Sequence, residues 1–256
     1  MKMARPSFSV RVDVRNPGQF FACCGLLELA HRLWPGAEGW FDDAGFSIRG
    51  CKTNHDPCEL KSLLGNLASA HAEALEPGED PKIPPILLGE PFTLRMDWWL
   101  DSRGRKTSFG KMFSGQKRTL KDVRRLQQAL QGGTELREAA LFDWAVPLKG
   151  RFGVDPRAAW TALGVGFSPN DQGMKVRSYP AVELLGAVGL QGFRPTKKNR
   201  AFEYGTWTTP LPAPVARAVA GGLIPSIGAG VFGFQLVQRG SYKGFGWALP
   251  QGAKDE

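Results

Sequence analysis

The chain has 256 residues, 42% of them hydrophobic, and a formal net charge of +9 at neutral pH. This apolar content excludes a mostly disordered chain and suits a protein with a sizeable core. No apolar run reaches the roughly 18 residues that span a bilayer, and the N-terminal MKMARPSFSVRVDV lacks the apolar core of a signal peptide. We therefore expect a cytoplasmic protein. Its pI near 9.6 favours a polyanionic partner over a membrane.

The N-terminal part predicts a strand followed by a buried helix. Apolar and polar residues alternate in SFSVRVDV, as in a half-buried strand, with one face formed by Phe8, Val10, Val12 and Val14. In the next stretch Asn16 can cap a helix, Pro17 suits its first position, and Gln19 completes a capping box. The helix is apolar nearly all round until Glu28, which predicts burial.

A short strand pair is expected in WFDDAGFSIRG, and a second helix in HDPCELKSLLGNLASAHAEAL. There Asp56 is the predicted cap, Pro57 the first helical residue and Glu59 the third. The proline-rich EPGEDPKIPP predicts a loop, and FTLRMDWW predicts a strand that leads into a basic segment.

The basic segment is the strongest compositional signal. Between Leu100 and Leu130 there are nine basic residues and two acidic ones, so this window carries +7 of the net +9. The glycine-containing RGRKTSFGKMFSGQKRT predicts a loop, LKDVRRLQQALQGG a helix, and TELREAALFDW a further helix. A charge that only aids solubility would be scattered, so the clustering favours a polyanion.

The C-terminal part adds shorter elements. We expect a helix in YPAVELLGAVGLQGF, a basic turn and a strand in RPTKKNRAFEYGTWTTPL, a short helix in PAPVARAVAGGL, and a hairpin in the tail with its turn at Arg239, Gly240 and Ser241. The pattern predicts an α+β fold, a mixed sheet with packed helices, of which an RNA-recognition-like (ferredoxin-like) core with a basic loop insertion is one form. We expect one compact unit over 1–256, with a subdivision into 1–80 and 91–256 as the alternative.

Two basic clusters are the predicted nucleic-acid-binding residues, because Lys and Arg neutralise phosphates. The first comprises Arg103, Arg105, Lys106, Lys111, Gln116, Lys117, Arg118, Lys121, Arg124 and Arg125, and the second Arg194, Lys197, Lys198 and Arg200. Four aromatic residues in or near these clusters could stack on bases: Phe109, Phe113, Tyr204 and Trp207. A solvated charged loop and an exposed hairpin turn are the structural alternatives.

Metal binding and catalysis have little support in the sequence. The grouping of Cys51, His55 and Cys58 lacks a nearby fourth ligand, so we expect no metal and no cofactor. His31 and His71 fall on predicted helices and are expected to be partly buried. A metal-dependent nuclease needs several converging acids, and the basic window offers Asp101 and Asp122. We therefore predict no catalytic residues and a protein that is not an enzyme.

Several stretches resemble a known family: NPGQFFACCGLLELAHRLW, the WW that precedes the basic loop with its FSGQK, GVGFSPNDQG and YPAVELLGAVGLQGFRP. Together they resemble the small large-subunit-like (Cascade) proteins of type I-U, or I-G, CRISPR interference complexes. The resemblance spans roughly residues 8 to 210 and includes no catalytic signature.

This resemblance implies a non-catalytic subunit of an RNA-guided surveillance complex in antiviral defence. Its partners would be guide RNA, target double-stranded DNA, other CRISPR effector subunits and a recruited helicase-nuclease that cleaves the DNA. The subunit would read the short motif beside the target and hold the displaced strand. The alternatives are a guide-RNA-binding backbone or cap subunit, an RNA-processing or metal-dependent nuclease, and a structural adaptor.

Overall fold

Five helices and fifteen short strands make up the part of the chain that the computed structural model describes. The described residues are 5–43, 45–50, 58–76, 84–100, 109, 119–133, 138–157, 175–239 and 242–252. The helices are α1 Pro17–Leu33, α2 Leu60–Ser69, α3 Thr119–Gly132, α4 Pro180–Gly192 and α5 Ala213–Ala220. Together with small antiparallel sheets they confirm the predicted α+β class.

The strands form several sheets rather than one. The first sheet has the order β1 Phe8–Val10, β3 Gly45–Arg49, β2 Glu38–Asp42 and β11 Leu211–Pro212; the second has β15 Leu249–Gln251, β12 Gly230–Phe234, β10 Ala201–Thr206 and β9 Thr196–Lys198. A three-stranded sheet contains β4 Ala72–Ala74, β5 Ile86–Leu88 and β6 Leu94–Met96, and two strand pairs join β7 Val146–Leu148 to β8 Val176–Ser178 and β13 Leu236–Arg239 to β14 Tyr242–Phe245. These sheets do not confirm a ferredoxin-like core.

Helix α1 starts at the predicted cap Asn16 and at Pro17, but the predicted capping box is not formed, because the N–H of Asn16 donates to the carbonyl of Asp13 rather than to Gln19. The side chain of Asn16 accepts a hydrogen bond from the backbone N–H of Gln19, and the Gln19 side chain accepts one from the N–H of Asp13. Every residue from Pro17 to Ala30 is buried, which confirms the prediction of an enclosed helix. One neighbour is an aromatic cluster in which the ring of Phe20 stacks on that of Tyr204, with centroids 4.1 Å apart.

Helices α1 and α4 form the most extensive contact between helices, and glycines allow their backbones to meet. A Cβ atom added at Gly25 would lie 2.1 Å from the carbonyl oxygen of Leu185, and one added at Gly189 would lie 2.0 Å from that of Phe21. Both distances are far below van der Waals contact, so only glycine permits this separation.

Most of the other predicted helices and strands are confirmed, whereas the second predicted helix is not. The strand pair β2–β3, the helices α3 and α4, the turn before β10 and the tail pair β13–β14 are confirmed. The second predicted helix is wrong at both ends. Its N-cap is Glu59, and the chain leaves the helix after Ser69 to form β4, which pairs with β5. Strand pairing overrides the helix preference of the Ala- and Glu-containing sequence there.

The helix predicted in TELREAALFDW is also wrong within the described residues, because Glu138–Ala140 forms a 3₁₀ turn followed by irregular turns. His71 does not lie on a helix, and its side chain is exposed. Cys51, His55, Asp56 and Pro57 lie outside the described residues.

Candidate nucleic-acid interface

Most of the first basic cluster lies outside the described residues. This holds for Arg103, Arg105, Lys106, Lys111, Gln116, Lys117 and Arg118, and also for Phe113. The structure does describe the residues on either side of this segment and one residue within it, Phe109. The interface is therefore built from what surrounds residues 101–118.

Phe109 is a core residue, so the prediction that it stacks on bases is wrong. Its side chain is 1% exposed. Its ring centroid lies 5.3 Å from that of Trp99 and 5.3 Å from that of Phe152. The carbonyl oxygen of Phe109 accepts a hydrogen bond of 3.5 Å from the hydroxyl of Thr119, at the start of α3. The basic segment is thus attached to the core at its centre.

Helix α4 supports the beginning of the same segment through Gln191. The side-chain oxygen of Gln191 accepts hydrogen bonds of 3.0 Å from the backbone N–H groups of Asp97 and Trp98, and its amide nitrogen donates to the carbonyl of Trp98. Trp99 and Leu100 follow and are buried. These contacts hold the chain immediately before residue 101, where the basic segment starts.

Glu183, also on α4, supports the centre of the segment from the other side. Its carboxylate accepts hydrogen bonds of 2.7 Å from the N–H of Phe152 and 2.8 Å from that of Gly153. Phe152 in turn contacts Phe109. Burial of this carboxylate raises its pKa, although the guanidinium of Arg151 acts in the opposite direction.

A second buried carboxylate, Asp155, continues this network to α1. Asp155 accepts a hydrogen bond from the Asn16 side chain and binds the guanidinium of Arg157 at 2.8 Å. Arg157 also lies 3.7 Å from the ring centroid of Tyr179. Sequence analysis missed these positioning residues. The available signal was the placing of Glu183 and Gln191 in an otherwise apolar helix.

Arg194, from the second basic cluster, contacts a residue that precedes the first cluster in the chain. Its guanidinium carbon lies 5.3 Å from the ring centroid of Trp98, and its Nε donates a hydrogen bond to the carbonyl of Gln191. Arg194 is exposed, whereas Trp98 is partly buried. A member of the second cluster therefore lies beside Trp98, five residues before Arg103, the first member of the first cluster.

The rest of the second cluster surrounds the turn between β9 and β10. Lys197, Lys198 and Arg200 are exposed, and Asn199 occupies the left-handed region with φ of 55°. The Lys198 ammonium lies 3.5 Å from a carboxylate oxygen of Glu203. Asn is among the residues that tolerate this conformation best, which explains its place in a two-residue hairpin turn.

On α3 the three predicted cations differ in their surroundings. Lys121 is exposed. The guanidinium of Arg124 donates two hydrogen bonds to the carbonyl of Ala72, and that of Arg125 donates to Asp122 and to the carbonyl of Lys149. Both arginines thus hold α3 to neighbouring segments.

The two remaining aromatic predictions are wrong because both side chains are buried. Tyr204 is 1% exposed and donates its hydroxyl to the carbonyl of Val14, and Trp207 is fully buried and donates to the carbonyl of Gly39. Large aromatic rings gain free energy when they leave water, and these two pack in the core against α1 and the first sheet.

Within the described residues no group of His, Cys, Asp and Glu is arranged to hold a metal ion. Cys23 and Cys24 are buried free thiols, and burial raises the pKa of both well above the usual value; Cys58 is also buried. A thiol with a raised pKa is a poor nucleophile. The described thiols therefore suit packing rather than chemistry.

Comparison with known proteins gives no match. No protein-family model, no curated protein and no solved structure is similar to this chain at the level that would support an assignment. Among the residues that the structure describes, no helix is long and apolar enough to cross a bilayer.

Proposed function

We propose that the protein binds nucleic acid through residues 101–118 and the start of α3, and that Arg194 and the β9–β10 turn extend this surface. The observation that carries the proposal is the contact of Arg194 with Trp98, which lies three residues before residue 101, where the basic segment starts. This contact supports a single surface formed by two positively charged regions that are distant in sequence.

Phosphate binding is the chemistry that this arrangement favours. Clustered Lys and Arg release counterions from a nucleic-acid backbone and give affinity that does not depend on sequence. Glycines at 104, 110 and 115 allow close approach of the protein backbone to phosphates. Base-edge contacts would come from Gln116, Arg105 or Lys106, which can pair with bases in the major groove.

The biological role that we propose follows the resemblance in the sequence. The protein acts as a non-catalytic subunit of a type I CRISPR surveillance complex that binds target double-stranded DNA beside its guide-paired region. Cleavage is left to a separate helicase-nuclease. An RNA-recognition-like core is part of this proposal; the sheet containing β9, β10, β12 and β15 is four-stranded and antiparallel, as in that core, but its strands follow one another in chain order.

Salt-dependent binding of a duplex oligonucleotide tests the proposal. The variant with Lys111, Lys117 and Arg118 changed to Ala should weaken binding and reduce the slope of log K against log salt by about 2.7, the expectation for three lost phosphate contacts. The matched control changes three exposed cations elsewhere, Arg5, Arg11 and Lys61, to Ala.

The control alters net charge by the same amount and should have a smaller effect on the slope. Equal slopes for wild-type protein and the first variant would remove the role given to the basic segment. Crosslinking in the assembled complex then separates target binding from guide binding, since contacts mainly to guide RNA would favour a backbone or cap subunit.

A further inference from the structure

An open groove of about 420 Å³ lies at the end of the second sheet, beside the β9–β10 turn. Its walls carry cations and amides, Lys198 and Arg200 at one side and Gln235 and Gln251 at the other, with the carboxylate of Glu203 between them. Among the described residues that line it, none is aromatic. This mixture of groups is suited to a ligand that has both a negative charge and hydrogen-bonding edges.

The sheet register explains why the groove is there. Ala201 pairs with Lys198, and Glu203 pairs with Gly233, so these four residues share one face of the sheet. The opposite face contains the buried side chains of Phe202, Tyr204 and Phe234. Because Ala201 has a small side chain and Gly233 has none, the sheet surface is recessed between their larger neighbours, and this recess forms the floor of the groove.

The side chain of Gln251 extends over this floor. A Cβ atom added at Gly233 would lie 2.6 Å from the Nε2 of Gln251, so glycine leaves room for that amide. Gln251 donates a hydrogen bond to the carbonyl of Leu249 in its own strand. One amide group is thereby placed across from the carboxylate of Glu203.

Glu203 is an acidic residue within a group of basic ones, and its side chain is mostly shielded from solvent. Its side chain is 18% exposed, whereas that of its partner Lys198 is 68% exposed. A shielded carboxylate presents two acceptor oxygens, which match two adjacent N–H donors. Among the nucleobases, guanine offers such a pair on its base-pairing edge.

We infer that this groove binds one unpaired guanine nucleotide of a single-stranded nucleic acid, with its base edge at Glu203 and its phosphate at Lys198 and Arg200. The inference rests on the proposed function and adds the strand type and the base. Pairing in a duplex would occupy the same edge of guanine, so the site selects unpaired nucleotides. Release of Lys198 from Glu203 would make both groups available to the ligand.

Fluorescence anisotropy with labelled hexanucleotides tests this. Uridine-rich RNA hexamers carry a single central guanine, adenine or cytosine, and DNA counterparts with thymine determine whether the sugar matters. Wild-type protein should bind the guanine hexamer at least about fivefold more tightly than the others, the lower range for a bidentate base contact. Glu203→Gln should remove this preference, because an amide replaces one acceptor with donors.

Three other variants complete the design. The double change of Lys198 and Arg200 to Ala should weaken all hexamers alike and reduce the salt slope by about 1.4, as two phosphate contacts on a single strand predict. The matched control Glu73→Gln alters an exposed acid on β4 and should leave the guanine preference intact. Ala201→Leu fills the floor and should weaken the guanine hexamer without changing a charge.

The outcomes separate the two proposals. Wild-type protein that binds every hexamer equally, or a Glu203→Gln variant that retains the guanine preference, would overturn the inference and leave the proposed function in place. Wild-type protein that binds neither hexamers nor duplex would overturn both. Circular dichroism of each variant confirms that the fold is retained.

Discussion

Replacement of Gly25 by Ala should destabilise the protein through the contact between α1 and α4. Cβ atoms essentially never approach another heavy atom within 3.0 Å, yet the new methyl group would lie 2.1 Å from the carbonyl oxygen of Leu185. The helices must therefore separate by roughly 0.9 Å at this point. Because the obstacle is backbone, no rotamer change can relieve it.

The expected change in the free energy of unfolding is the difference between a destabilising and a stabilising effect. Overpacking of a core costs about 1–3 kcal/mol, and the separated helices also lose dispersion contacts along their interface, which brings the total to about 4 kcal/mol. Ala is better than Gly in a helix by about 1 kcal/mol. We expect a net loss of about 3 kcal/mol, which corresponds to a decrease in Tm of about 6–12 °C for a chain of this size.

Gly65→Ala is the matched control, since Gly65 lies on the exposed side of α2 with no atom within 4 Å of an added Cβ. It should raise stability by up to about 1 kcal/mol. Urea unfolding followed by circular dichroism measures both variants. A Gly25→Ala protein as stable as Gly65→Ala would refute the argument that close backbone contact requires glycine.

The remaining predictions concern titration, thiol reactivity and the core position of Phe109. Burial raises the pKa of Glu183, so above pH 4.5 the folded state retains a proton that the unfolded state loses. The free energy of unfolding should therefore fall as pH rises above 4.5. Glu183→Gln should reduce this dependence of stability on pH, as measured by urea unfolding at several pH values. Burial also raises the pKa of Tyr204 well above 10, so stability should fall as pH rises above 10, and less steeply in Tyr204→Phe. Cys23 and Cys24 should react with a thiol reagent at pH 8 only under unfolding conditions; rapid labelling of folded protein would contradict their burial. Phe109→Ala should cost about 3–5 kcal/mol in urea unfolding, and a variant of unchanged stability but weaker oligonucleotide binding would restore the base-stacking interpretation.

Helix α4 links the core of the protein to its proposed binding surface. Glu183 holds Phe152 against Phe109, and Gln191 holds the backbone at Trp98. Both polar side chains are buried and bonded to backbone groups, where loss of a partner is costly. The basic segment is therefore anchored by residues that carry no charge complementary to nucleic acid, and their effect on binding is through position.

Local signals were sufficient for the elements whose pattern agrees with their tertiary surroundings. The cap at Asn16 and the continuous apolar run predicted α1, and helical spacing of apolar residues predicted α3. The concentration of charge in one window required no structure at all. Local signals were insufficient after Ser69, where pairing of β4 with β5 replaced the expected helix.

The sequence by itself determined the α+β class, the main helices and the position of the basic segment, because periodicity, capping and charge are properties of neighbouring residues. Only the tertiary structure decided which aromatic rings are accessible. Phe109 lies within the first basic cluster, and Tyr204 and Trp207 follow the second within seven residues, yet each is buried in the core. Contact of Arg194 with Trp98 and the groove at Glu203 depend equally on strand register and helix packing, which bring together residues that are distant in sequence.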